Sequence, residues 1–346
     1  MCWGTTVLIF ILSSKKSLVF GEQDEHGHEA KKFYDQVESL VRTWSPLIYL
    51  APGELFKPSG VDDFIKHVYP ANADGYRLTK RVSHNEKLYM KTVQDVESLK
   101  NDMGSFLHGK DKVQNVPTYG LVSYCHKNLQ KADSNNSPSF FVSYWFFYPY
   151  NLGKEICFLG RVPTPSVFSS CFGRKVFMGN HVGDWEHVTL FFKGQKYPHS
   201  IYVSTHEFGA YYKYNKFLHT FIYESQKSTI KIIQNIRFPK FLLLKNNHPV
   251  LFSAWGSHGF WSEPGNHTYS LVPKLQDFTG FGDRWETWKN LKIYHMGFDG
   301  LPRWISFKGR WGNPRSNCIL FKNLGLCRQA DGPFGPRNSD FDCSLK

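Results

Sequence analysis

The chain contains no CxxC pair, no phosphate-binding GxxxxGK[ST] loop and no GxGxxG dinucleotide fingerprint. These absences argue against a zinc cluster and against the common nucleotide folds. After the first twenty residues, no apolar run approaches the roughly 18 residues needed to cross a membrane. No serine occupies a complete nucleophile elbow, since Ser257 in GSHG lacks the full pattern of glycines on both sides. Acidic residues are also scarce, with 29 Asp and Glu against 42 Lys and Arg, for a formal charge of +13. No dense basic run or nucleic-acid module accompanies that charge. It therefore suits an anionic membrane or an acidic glycan better than nucleic acid.

Aromatic side chains are abundant: 30 Phe, 18 Tyr and 10 Trp, alongside 28 Gly and 18 Pro. That mixture favours short strands joined by tight turns. The expected fold is all-β, an antiparallel β-sandwich or jelly-roll-like domain with short flanking helices. At 346 residues the chain can bury a substantial core. Phe33, Val37, Leu40, Val41 and Trp44 recur at helical spacing and predict an amphipathic helix over 29–44. A strand at Leu47 to Leu50, a helix at Val61 to Val68 and another over 93–103 should follow. From Thr118 the pattern turns to strands, notably SFFVSYWFFYPYN (Ser139 to Asn151), HSIYVSTHEF, AYYKY, HTFIYES and HPVLFSAWGSHGF. Residues 154–178 read as an insertion. The layout is a signal peptide over 1–21, an N-terminal helical segment over 22–45, a β domain over 46–315 and a loop-like, disulfide-held tail over 316–346.

Export is expected from three features. The apolar core VLIFIL (Val7 to Leu12), with small or apolar Val19 and Gly21 behind it, suits a signal peptidase. Its removal leaves six cysteines, an even set that reads as three disulfides in an oxidising compartment. Cys157 with Cys171 and Cys318 with Cys327 would close short loops, which leaves Cys125 for Cys343. Sequons begin at Asn135 and Asn266. The chain is thus expected to be secreted or to lie in the lumen of the secretory or vacuolar pathway.

The stretch GNHVGDWEHVTLFF (Gly179 to Phe192) concentrates the chemistry. Trp185, His187, Thr189 and Phe191 alternate with Glu186, Val188, Leu190 and Phe192, as in a half-buried strand. Asp184 and Glu186 share one side, and His181 in the preceding turn could fold over them. Two carboxylates and an imidazole suit a hard divalent cation, Ca²⁺ or Mg²⁺. The same trio could serve as general acid and base, or simply cap and pair within the fold. His187, His206, Glu207 and His258 are further ligand-binding candidates, because each lies by a glycine or at a strand end.

SPLIYLAPGELFKPSGVDDFI, SYWFFYPYN, GNHVGDWEHVTLFF, STHEFGAYY and HPVLFSAWGSHGFW resemble, in wording and order, the vacuolar protein sorting-associated protein 62 family. GDRWETWKNL and GRWGNP extend the likeness to about residues 40–315. It implies a β-rich fold and an association with sorting or secretion. The chain departs from the family in the 154–178 insertion, in the cysteine-bearing tail and in Gly259, where the GSHA motif commonly has alanine. The opening motif is also similar to the GHRHDWE heptapeptide of the necrosis-and-ethylene-inducing proteins, with a spacing that differs by one residue. His181, Asp184 and Glu186 match its His, Asp and Glu, and the likeness implies a cation site in a secreted, membrane-active β-sandwich.

Together these readings favour binding over catalysis: a membrane-surface, glycan or lipid ligand, with a divalent cation. Two alternatives are a metal-dependent hydrolase using Glu186 with His181 or His258, and a lumenal sorting adaptor.

Overall fold

A computed structural model describes residues 31–79, 87–125, 137–160, 162–163, 171–228, 236–271, 274–318 and 327–336. The expected leader over 1–21, Asn135 and Cys343 lie outside the described residues.

Two sheets face each other across the principal core. The larger has eight strands in the order Phe241–Leu242, Thr220–Ser228, Phe208–Asn215, Ser200–Thr205, His181–Lys193, Ser139–Asn151, Thr118–Tyr124 and Leu291–His295. The smaller runs Leu244–Lys245, His248–Ser253, Leu47–Tyr49 and Arg284–Glu286, with Phe260–Trp261 added on His248–Ser253. The β-rich class is as expected, but the pairing is not purely antiparallel. Leu291–His295 runs parallel to Thr118–Tyr124, and Leu47–Tyr49 runs parallel to His248–Ser253. Both pairs join segments distant in sequence, where no hairpin dictates direction.

The two longest strands, Ser139–Asn151 and His181–Lys193, pair antiparallel at the centre. They are buried on both faces, which corrects the half-buried reading of His181–Lys193. On one face Tyr144, Phe146, Tyr148, Val188, Leu190 and Phe192 meet Ile48, Leu251, Phe260 and Trp285 of the smaller sheet. On the other, Trp145, Phe147 and Trp185 pack against Phe56, Phe64, Leu107 and Trp311. Aromatic and apolar residues at both phases of the alternation leave neither face suited to water. Each such side chain contributes roughly 2–3 kcal/mol of transfer free energy as an upper figure.

The N-terminal helix spans residues 31–43 among those described. It buries Val37, Leu40 and Val41 in the principal core, and the Tyr144 hydroxyl donates to the Val41 carbonyl at 2.6 Å. The helix expected from Val61 to Val68 is shorter, at Val61–Phe64 with a 3₁₀ turn over Ile65–His67. It stops because Val68–Ala71 is recruited as a strand against Tyr89–Thr92. Val96–Asn101 is helical, capped by the Asp95 carboxylate accepting from the Ser98 amide at 2.9 Å.

The 154–178 insertion forms a three-stranded sheet of Val162–Pro163, Lys154–Leu159 and Arg174–Met178, closed by the Cys157–Cys171 disulfide. The described part of the tail contains strands and is not simply a loop. Ser316–Cys318 and Cys327–Gln329 make a hairpin bridged by Cys318–Cys327. The Gly179 amide donates to the Cys327 carbonyl at 2.8 Å, and the Ala330 amide donates to Asn180 at 2.7 Å, which pins the tail to the body. Cys125 is also disulfide-bonded. Among the described residues no helix is long and apolar enough to cross a membrane.

Candidate functional site

The central strand pair sets Asp184 opposite Tyr148 and Glu186 opposite Phe146, both on the face toward the smaller sheet. The turn expected to carry His181 is already strand, because His181 and Val182 pair with Asn151 and Tyr150, and the strand needs glycine just before Asp184. Gly183 has φ +66°, and a Cβ there would lie 1.8 Å from the Trp311 carbonyl oxygen. Beside this glycine, Asn151 donates through Nδ2 to Asp184 Oδ2 at 2.8 Å. The smaller sheet completes the surroundings: the turn after His248–Ser253 carries His258, and its Nδ1 lies 2.9 Å from the same oxygen. A carboxylate can only accept, so Nδ1 donates. His258 is fully buried, has φ 64° and stacks on the Tyr148 ring at 3.9 Å. Its Nε2 has no hydrogen-bond partner among the described residues and faces Glu54 Oε1 at 3.9 Å. Glu54 itself accepts from the Gly256 amide at 2.7 Å and from the Phe56 amide at 2.8 Å.

A second knot adjoins the first. Asp277, on the hairpin Gly265–Leu271 with Lys274–Thr279, accepts from Trp261 Nε1 at 2.9 Å and from the Ser257 hydroxyl at 3.1 Å. The Lys154 ammonium binds both Asp277 and Ser257. His206 reaches Asp277 Oδ2 with Nε2 at 3.0 Å, and its Nδ1 lies 3.9 Å from Glu186 Oε1. His206 also has a positive φ, 55°, and Gly259 leaves room for it: a Cβ there would sit 2.8 Å from the imidazole. Gly259 is thus matched to this ring.

Burial and charge divide the three acids. Burial opposes charge on Asp184, but the His258 hydrogen bond, the nearby His181 and Asn151 outweigh it and hold its carboxyl below the usual range. Burial also opposes charge on Asp277, and Lys154 with His206 pulls it well below that range. Glu186 goes the other way: burial first, then the charges of Asp184 and Asp277, push it well above its ordinary value.

Asp184, Glu186, His206 and His258 therefore lie together. His181 stands at their edge, with Nδ1 donating to the Gly183 carbonyl at 2.8 Å and Nε2 3.9 Å from Asp184 Oδ1. The trio His181, Asp184 and Glu186 does not converge on one point. Among the described residues, no three His, Cys, Asp or Glu side chains are grouped to hold a metal ion. His187 lies on the opposite face, stacked on Trp145 at 4.4 Å. Burial, helped by Lys227, pushes its imidazole down to about 3. Glu207 is exposed in a turn, and Asn266 is exposed on the hairpin, where its Oδ1 accepts from Gln276 at 2.7 Å. Glu54, Asn151, Lys154 and Asp277 complete the network without having stood out in the sequence. Each sits alone in an ordinary turn or strand, and only the fold brings it to its partner.

The network also shapes a cleft. The Leu152 amide donates to the Gly256 carbonyl at 2.7 Å, so the turn bearing His258 and the end of Ser139–Asn151 are tied together. Beyond them opens a cleft of about 800 Å³ whose floor includes Phe56, Tyr150, Leu152 and Phe158. Lys100, Arg174, Lys175 and Arg328 stand around it, with Glu97 the one acid. Glu97 binds Lys100, and Glu155 binds Lys175 at 2.8 Å. Arg174 and Arg328 have no carboxylate partner among the described residues. The buried Tyr150 hydroxyl at the floor has no hydrogen-bond partner among the described residues.

This two-sheet, aromatic-cored β architecture, with a buried acid–histidine network beside a basic cleft, defines the class. The model of vacuolar protein sorting-associated protein 62 matches residues 16–219, more than half of the chain, and the chain belongs to that family. Vacuolar protein sorting-associated protein 62 of Saccharomyces cerevisiae is 26% identical over 375 residues, covering 94% of this chain and 70% of the relative. A second relative from the same yeast, TDA6, named as a candidate vacuolar protein sorting-associated protein, is 26% identical over 346 residues, covering 87% and 66%. Among solved structures, Necrosis and Ethylene inducing Protein 2 from the causal agent of cocoa's Witches Broom disease superposes on 73% of this chain and 72% of its own. Its identity is 13% and its TM-score 0.26, too low to carry an argument.

Proposed function

We propose that this protein binds single anionic amphiphiles, lipids with an acidic headgroup, in the 800 Å³ cleft, and does so within the secretory or vacuolar lumen. The observation that carries this is one cavity combining an apolar floor with two arginines and a tyrosine hydroxyl that, among the described residues, have no carboxylate or hydrogen-bond partner respectively. Acyl carbons gain from the floor, the head gains from the arginines, and the hydroxyl can donate to a headgroup oxygen. The disulfides suit an oxidising lumen, and the sorting role in the relatives' names supports the route. The acid–histidine network serves as the frame that fixes one wall. Glu186 and His258 are 4% and 0% exposed, which favours support over turnover. Cleft binding does not depend on a cation at His181, Asp184 and Glu186.

The test is calorimetric titration of monomeric dihexanoylphosphatidic acid into the full chain with its disulfides formed. Saturable binding is expected, weakened about tenfold or more by Arg174→Glu with Arg328→Glu and several-fold by Tyr150→Phe. Absence of heat in the wild type, or unchanged affinity in the arginine variant, would sink the reading.

A further inference from the structure

The end of the large sheet far from the cleft carries a different surface. Phe208–Asn215 and Thr220–Ser228 are joined by a tight turn, Lys216 to His219. At its tip Phe217 is 89% exposed and Leu218 is 61% exposed. This is not a loose loop: the Asn215 side chain accepts from the amides of both Phe217 and Leu218 at 3.0 Å, and Tyr214 OH pairs with His219 Nδ1 at 3.0 Å. The turn therefore holds two apolar side chains out in water on a fixed support, an unfavourable arrangement unless something covers them. Beside it, the register Phe221 to Leu242 and Ile222 to Phe241 carries the chain toward the tip at Leu243, which is 61% exposed.

The charges around this apolar tip are of one sign. Lys213 and Lys216 are exposed on the hairpin, and Lys193 and Lys196 are exposed on the neighbouring turn at the same end of the sheet. None of the four has a carboxylate partner among the described residues, and the Lys216 ammonium lies 5.6 Å over the Phe217 ring. Glu224, farther down the hairpin, is the acid that faces this region through His199. An apolar tip ringed by unpaired cations matches an anionic bilayer: the rings enter the headgroup boundary while the ammonium groups meet lipid phosphates and carboxylates.

We infer that the 215–220 hairpin is a membrane anchor that seats this end of the sheet on an acidic lipid surface, through Phe217 and Leu218 and the lysines beside them. The anchor and the cleft lie at opposite ends of the central strands, which at about 3.3 Å per residue are roughly 40 Å long. A protein seated in this way holds its cleft away from the bilayer, open to a ligand arriving from the lumen. The anchor is thus a second site, separate from the cleft.

Flotation with vesicles of phosphatidylcholine and phosphatidylserine, 7:3, against pure phosphatidylcholine tests it on the full oxidised chain. Wild type is expected to float with the acidic vesicles and not with the neutral ones. Phe217→Ser with Leu218→Ser, and separately Lys213→Glu with Lys216→Glu, should each cut capture at least tenfold and leave the affinity for dihexanoylphosphatidic acid unchanged. A Phe217→Trp variant should show a blue-shifted emission on acidic vesicles, which reads insertion directly. No capture of the wild type, or capture unaltered in the Phe217/Leu218 variant, would overturn the anchor. Capture lost only on changing Arg174 and Arg328 would overturn it too, and would leave the cleft reading standing.

Discussion

Glu186 is the acid whose charge this fold opposes most plainly. Its ordinary value is 4.5, and burial with two neighbouring carboxylates raises it in the folded protein. Above about pH 4.5 the unfolded chain gives up this proton while the folded chain keeps it, so the unfolded state gains relative stability as pH rises. The effect is absent well below that pH, where both states hold the proton. Glu186→Gln keeps the shape and removes the effect. The variant should match wild type near pH 4 and become progressively more stable than it toward pH 8, read as urea midpoints across that range. A constant offset between the two proteins at every pH would show that Glu186 is not held protonated. The motif drew attention to this residue, but its opposite behaviour from Asp184 was not legible there. Two carboxylates two positions apart look alike in sequence, and only the partners separate them: His258 and Asn151 on one, an apolar enclosure and like charges on the other.

At the level of elements, a turn was expected at Gly183, but the residue lies inside the central strand, and the reason it must be glycine was not legible. Gly183 and Gly160 have nearly the same φ, +66° and +61°, yet a Cβ at Gly183 would strike the Trp311 carbonyl and one at Gly160 meets nothing within 4 Å. The pair separates backbone strain from steric clash. Gly160→Ala should cost about 1 kcal/mol from the left-handed conformation, and Gly183→Ala roughly 3 kcal/mol or more. Chemical denaturation of the two variants checks this, and equal costs would mean that the tail segment at Trp311 yields easily. The N-terminal helix and the long aromatic strands could be read because their periodicity is local. The helix at Val61–Phe64 came out shorter than expected because strand pairing at Val68–Ala71, a non-local event, claimed its end.

For the whole molecule, the formal charge is +13, and both proposed surfaces carry part of that excess of cations. Surface attraction of this kind is screened by salt, with a Debye length of about 10 Å at 0.1 M and about 3 Å at 1 M. Dihexanoylphosphatidic acid should therefore bind several-fold more weakly at about 0.5 M salt than at about 0.05 M. An affinity indifferent to salt would remove the arginines from the account and leave the apolar floor.

The sequence by itself determined what depends on near neighbours and composition. It gave the β-rich class from the abundance of aromatics, the helix from its spacing, the two short disulfide loops from proximity along the chain, and the family from the wording of its motifs. Tertiary structure alone decided which groups meet. It set Glu54, Lys154 and Asp277 against the histidines, drew the motif's acids into two different environments, and placed a basic cleft and an apolar hairpin tip at opposite ends of one sheet. Those outcomes rest on pairings across many tens of residues, where the free energy of association depends on distance and burial that no local pattern encodes.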